Sequence, residues 1–71
     1  FAPHIVKLDR SLITDIENDV DKQEYFYYYR DSFHKRGIKV LAEGVESREG
    51  YEFLRDNGID LVQGFYLGRP E

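Results

Sequence analysis

The chain predicts an α/β fold with parallel strands. Three observations carry that expectation: three short runs rich in β-branched or aromatic residues, two intervening segments with helical character, and glycines placed to stop the helices. A strand–helix–strand–helix–strand order links successive strands by crossovers, and crossovers of that kind give parallel pairing of right hand.

The first run is Ile5-Val6-Lys7-Leu8. Residues 11–17 (SLITDIE) predict a short helical turn, broken at Asn18 and Asp19. Asp21, with Glu24 three residues on, has the form of a capping box, so a helix is expected from there to about Arg36, stopped by Gly37. Phe26, Tyr29 and Phe33 share one face of it, flanked by Tyr25 and Tyr28. The five successive rings of residues 25–29 radiate around a helix, which favours core packing with hydroxyls reaching solvent over a base-stacking surface. The second run is Lys39 to Ala42. Ser47 then has the character of a cap for a helix ending near Asn57 and stopped by Gly58, with Tyr51, Leu54 and Phe53 as its buried face. Leu61 to Tyr66 forms the third run.

Composition narrows the function classes. Seventy-one residues make at most one small domain. A chain of that size buries only about 60% of the surface its unfolded form exposes. With no cysteine there is no disulfide framework and no thiolate metal site. No apolar run approaches the roughly 20 residues of a membrane span. No basic, apolar leader is present, so the expected compartment is the cytoplasm. The net charge of −4 and the scattered basic residues argue against a grip on polymeric nucleic acid. The His34-Lys35-Arg36 cluster falls where it would complement a helix dipole. The absence of methionine and the start at Phe1 suggest a piece of something longer.

In parallel α/β folds, reactive groups gather where strands finish. The first run ends in Lys7-Leu8-Asp9, the second in Glu43, and the third carries Gln63. Side chains alternate along a strand. If Val6, Leu8, Val40, Ala42 and Val62 meet the helices, then Lys7, Glu43 and Gln63 share the opposite face and converge near the carboxyl rim. Charged groups on an inner face must pair or bind something. One reading is a salt bridge closing the sheet end, with Gln63 satisfying a backbone group. The other is a ligand site. Gly44 and Gly64 are open in the same way, serving a tight turn or clearing room for a ligand.

KLDRSLI (7–13), AEGVES (42–47) and VQGFYLGRP (62–70) occur in that order and resemble the C-terminal signatures of the EAL domain, the family of bacterial cyclic-di-GMP phosphodiesterases. The likeness covers residues 1–71 as the C-terminal part of one incomplete EAL domain. It implies that the chain supplies the last three strands, βαβαβ, of a TIM-like (β/α)8 barrel. The implied activity is hydrolysis of one phosphodiester of cyclic-di-GMP to linear pGpG with Mg²⁺ or Mn²⁺ at a two-metal site. By that resemblance Lys7 orients the attacking water or stabilises developing phosphate charge. Asp9 supports Lys7 and the metal-bound water network. Glu43 is the general base or a water-bridged metal partner, Gln63 holds the site near Glu43, and Glu46 orients the loop. Gly68, Arg69 and Pro70 line the guanine side of the pocket.

The chemistry suits these residue types. Two cations neutralise a phosphodiester and acidify a shared water, a carboxylate takes the proton, and an ammonium offsets the charge of the pentacoordinate state. The family's Glu-Ala-Leu motif is absent, as are the Asn, the other Glu and the paired Asp residues that ligate its metals. The 71 residues alone are therefore expected to be inactive, with the metal site completed by the remainder of the EAL domain. A degenerate domain that binds cyclic-di-GMP or a protein partner without cleaving it is the alternative. A third expectation is self-association through open sheet edges.

Overall fold

The structure is a computed structural model and describes residues 4–63. It contains β1 (Ile5–Leu8), α1 (Arg10–Ile13), a 3-10 turn (Ile16–Asn18), α2 (Val20–Lys35), β2 (Lys39–Glu43), α3 (Arg48–Asp56) and β3 (Leu61–Gln63). The expected order of strands and helices is present, and both strand pairs are parallel with β2 in the centre. In register, Val6 faces Val40, Leu8 faces Ala42, Ala42 faces Val62, and Glu43 faces Gln63. The stretch 64–66 of the third run lies outside the described residues.

Alternation along the strands divides the sheet into two unlike faces. Leu8, Val40 and Ala42 are buried, forming one core with Ile13, Ile16, Phe26, Val45 and Leu54. Val6 and Val62 pack against that core, as do Tyr29, Phe33, Tyr51 and Phe53 from the helices. On the opposite face Ile5, Lys7, Leu61 and Gln63 are exposed, and Leu41 and Glu43 are half-buried.

Two local expectations are corrected. Residues 11–17 do not make a single turn. Asp9 caps α1, which stops after Ile13, and Asp15 takes a left-handed conformation (φ 64°) that starts the separate 3-10 turn. The N-cap of α2 is Asp19 rather than Asp21: its Oδ1 accepts from the Lys22 N–H at 3.2 Å. Asp19 therefore begins the helix it was expected to separate, and Asp21 sits inside the first turn, where its charge still complements the dipole. The competing capping-box spacing at Asp21 loses because Gln23 Nε2 reaches back to the carbonyls of Ile16 and Glu17, which places the 3-10 turn directly against the helix start.

At its other end α2 closes with two bonds, Gly37 N–H to His34 O and Ile38 N–H to Phe33 O, each 2.9 Å. This is a Schellman closure, and it delivers the buried Ile38 directly into β2. Of the aromatic run, Phe26 is buried, Tyr27 and Tyr29 are half-buried, and Tyr25 and Tyr28 are exposed. Tyr25, Tyr29 and Phe33 stack successively one helical turn apart. Arg30 lies over the Phe26 and Tyr27 rings and donates through Nη1 to Asn57 O at 2.7 Å, tying α2 to the end of α3.

The basic end of α2 does more than complement a dipole. His34 Nε2 lies 2.6 Å from Asp60 Oδ2, and the same oxygen accepts the Val40 N–H at 2.8 Å. Partial burial opposes ionisation of Asp60, but the Val40 N–H, the His34 ring and the Lys39 charge outweigh it and hold the carboxyl below the usual aspartate value. A lowered folded-state pKa gives stability that is complete above the unfolded-state value and lost as pH falls through the folded one.

Two predictions follow from these contacts. Asp19→Ala should cost about 1 kcal/mol by urea unfolding while Asp21→Ala costs about half that or less. Asp60→Asn should lower stability by about 1–2 kcal/mol at neutral pH and flatten the loss of stability below about pH 4 that the unsubstituted protein shows in the same measurement.

Candidate functional site

Parallel pairing brings the three strand ends to one rim. Lys7 and Glu43 project from the open face of adjacent strands, with Lys7 Nζ 3.9 Å from Glu43 Oε2. Gln63 is the direct register partner of Glu43 on the third strand. An ammonium, a carboxylate and an amide that lie far apart in sequence thus meet on one face. The Lys7 and Glu43 side chains are 63% and 44% exposed. Among the described residues an ion pair that open contributes at most about 1 kcal/mol.

The turn after Glu43 is tightly specified. Gly44 has φ +80° and donates its N–H to Gln63 O at 2.9 Å, extending the β2–β3 ladder one step past the strand. A Cβ on Gly44 would lie 2.5 Å from Arg10 Nε, so this glycine serves both the turn and the close passage of the Arg10 side chain. Val45 is buried and anchors the loop in the core. Ser47 Oγ accepts the Gly50 N–H at 3.0 Å, confirming Ser47 as the cap of α3. Glu17, from the 3-10 turn, reaches the same helix start: Ser47 Oγ lies 3.4 Å from its Oε2, while its Oε1 is buried without a hydrogen-bond partner. A carboxylate there is favoured by the amino-terminal dipole of α3.

The remaining expected residues are placed unevenly. Asp9 accepts from the Ser11 N–H and hydroxyl, so its carboxylate is engaged in capping α1. The Ser11 hydroxyl, and after it the Ser11 N–H, hold the Asp9 carboxyl below the usual range. Glu46 is exposed and, with Thr14, Asp15, Glu17 and Ser47, lines a shallow concavity beside the loop. Gly64, Gly68, Arg69 and Pro70 lie outside the described residues. Glu17, and Arg10 within the 7–13 signature, lie against the loop from the α1 side and were given no role by sequence pattern. Neither belongs to an apolar period or a charge cluster.

The described residues contain no group of three or more His, Cys, Asp or Glu side chains able to hold a metal ion. Lys7, Glu43 and Gln63 do not amount to the oxygen-rich shell that Mg²⁺ or Mn²⁺ takes.

A sequence model of the EAL domain matches residues 1–70. The chain belongs to the EAL domain family. It is 40% identical over 65 residues to the cyclic di-GMP phosphodiesterase NbdA of Pseudomonas aeruginosa, covering 92% of this chain and 8% of that protein. It is 33% identical over 70 residues to the signaling protein YkoW of Bacillus subtilis, covering 99% of this chain and 9% of that one. The chain thus spans less than a tenth of the length of these curated relatives. Among solved structures, it superimposes on the c-di-GMP-bound standalone EAL protein of Vibrio cholerae O395 with a TM-score of 0.86 and 38% identity, covering 89% of this chain and 27% of that one. The calcium and cyclic-di-GMP complex of Klebsiella pneumoniae BlrP1 gives a TM-score of 0.89 at 38% identity, covering 99% of this chain and 18% of that one. The three parallel strands accordingly correspond to part of an EAL barrel.

Because Ser47 caps the helix that follows Glu43, Ser47→Ala should cost about 1 kcal/mol in chemical unfolding.

Proposed function

We propose that residues 1–71 are the carboxyl-terminal part of an EAL domain that hydrolyses cyclic-di-GMP to linear pGpG. The meeting of Lys7, Glu43 and Gln63 on the open face of the strand ends carries this reading. The family membership and the phosphodiesterase named among the relatives support it. The presence of all three groups favours hydrolysis over a degenerate domain that only binds the dinucleotide.

In this reading Glu43 takes a proton from the attacking water as its oxygen bonds to phosphorus. The bond from phosphorus to one ribose 3′ oxygen breaks, and that oxygen leaves with a proton, giving a 5′-phosphate and a 3′-hydroxyl. Lys7 supplies fixed positive charge beside the negative charge that builds on the phosphoryl oxygens. Gln63, opposite Glu43, holds the carboxylate in place. Asp9 acts through the turn it caps, and Glu46 through the loop it borders. Gly68, Arg69 and Pro70 are assigned to the guanine side of the pocket. Mg²⁺ or Mn²⁺ would be held by residues outside this chain. Manganese and calcium complexes of Klebsiella pneumoniae BlrP1 support divalent ions in the family.

The open sheet face and the outer edges of β1 and β3 are then covered by the other strands of the same domain, on the cytoplasmic side of the cell. Exposed Ile5 and Leu61 on that face fit burial inside a closed barrel. Self-association through the same edges is the competing occupant.

Glu43→Gln in the complete domain should lower kcat by about a hundredfold or more while leaving dinucleotide affinity within a few-fold. Lys7→Ala should act mainly on kcat as well. Chromatographic assay of pGpG release, paired with equilibrium binding, checks both. A parallel loss of affinity and rate in Glu43→Gln would overturn the base role, and pGpG release by the 71 residues alone with Mn²⁺ would overturn the need for the remainder.

A further inference from the structure

A second cation stands beside the turn that follows Glu43. Arg10 follows β1 by two residues, and its side chain crosses the α-carbon of Gly44, the residue next to Glu43. The approach is close enough that a Cβ at position 44 would lie 2.5 Å from Nε, 3.1 Å from Cγ and 3.3 Å from Cδ. The stem is thus laid along the turn, and the Gly44 N–H bond to Gln63 O fixes that turn to the third strand.

Arg10 is exposed and, among the described residues, makes no ion pair. Its neighbour Asp9, the nearest carboxylate in sequence, is engaged first by the Ser11 hydroxyl and N–H and feels the Arg10 charge only as a lesser contribution. A planar, permanently charged fork held beside a nucleotide-cleaving rim matches the oxygens of a phosphodiester. A cyclic dinucleotide carries two such groups, and only one is hydrolysed.

We infer that Arg10 is a substrate-contacting residue that binds a phosphate of the dinucleotide, and that Gly44 is required to let its side chain lie there. This rests on the cyclic-di-GMP reading above. Arg10 serves affinity, whereas Lys7 and Glu43 serve the chemical step. Phosphate recognition at this rim is therefore divided between a residue that acts in the transition state and one that acts equally in the ground state.

The test is calorimetric titration of cyclic-di-GMP into the complete domain with Ca²⁺, alongside thermal unfolding of each variant. Arg10→Ala should weaken binding about tenfold or more with an unchanged unfolding midpoint, and Arg10→Lys should fall between, since it keeps the charge and loses the fork. In steady-state assays the same loss should appear in KM with kcat nearly unchanged. Wild-type affinity in Arg10→Ala overturns the inference, as does weakened binding accompanied by a lowered midpoint in both variants, which would make Arg10 a strut for the Gly44 turn. Failure of the unsubstituted domain to bind the dinucleotide would instead sink the cyclic-di-GMP reading, and this inference with it.

Discussion

The register of β2 between its two parallel neighbours is the constraint on which the rest depends. Because the side-chain period of a strand is two, the pairing that buries Leu8, Val40 and Ala42 must turn Lys7, Leu41 and Glu43 to the other side. A slip of one residue would drive a lysine and a glutamate into the helix layer, where an unpaired charge costs several kcal/mol or more. Hydrophobic burial on one face thereby fixes the chemistry on the other. The core supplies the accuracy, and the rim collects the polar groups.

Around that strand the chain spends its local devices on holding strand ends. Asp60 binds the Val40 N–H at the beginning of β2 and reaches His34 at the end of α2. Gly44 binds Gln63 at the other end. Asp9, Asp19 and Ser47 each cap a helix with a side-chain oxygen, and each cap lies in a connection between elements. The connections are therefore ordered by hydrogen bonds spanning two or three residues, while the longer ties through Arg30 and Glu17 lock the helices to one another. A rim residue such as Glu43 inherits its position from both kinds.

Much of this was legible in the sequence. Alternation of β-branched runs with helical periods gave the parallel sheet, and alternation within strands gave the shared face of Lys7, Glu43 and Gln63. The start of α2 falls at Asp19 rather than Asp21: two aspartates two residues apart both suit a cap, and Gln23 folds back on the preceding turn. His34–Asp60, separated by 26 residues, and Glu17–Ser47, separated by 30, have no local signature. Arg10 reads as an ordinary surface residue until the fold lays it over Gly44. Residues whose role comes from contact across the chain are invisible to periodicity, which registers only neighbours on the same element.

The central claim is that Lys7 and Glu43 work as one unit on a phosphodiester. A double-mutant cycle with Lys7→Met and Glu43→Gln, read as kcat for cyclic-di-GMP in the complete domain, tests it most directly. Strong non-additivity is expected, the double variant losing little more than Glu43→Gln alone. Independent, additive losses would show that the two groups act separately and that their meeting at the rim is not the basis of catalysis.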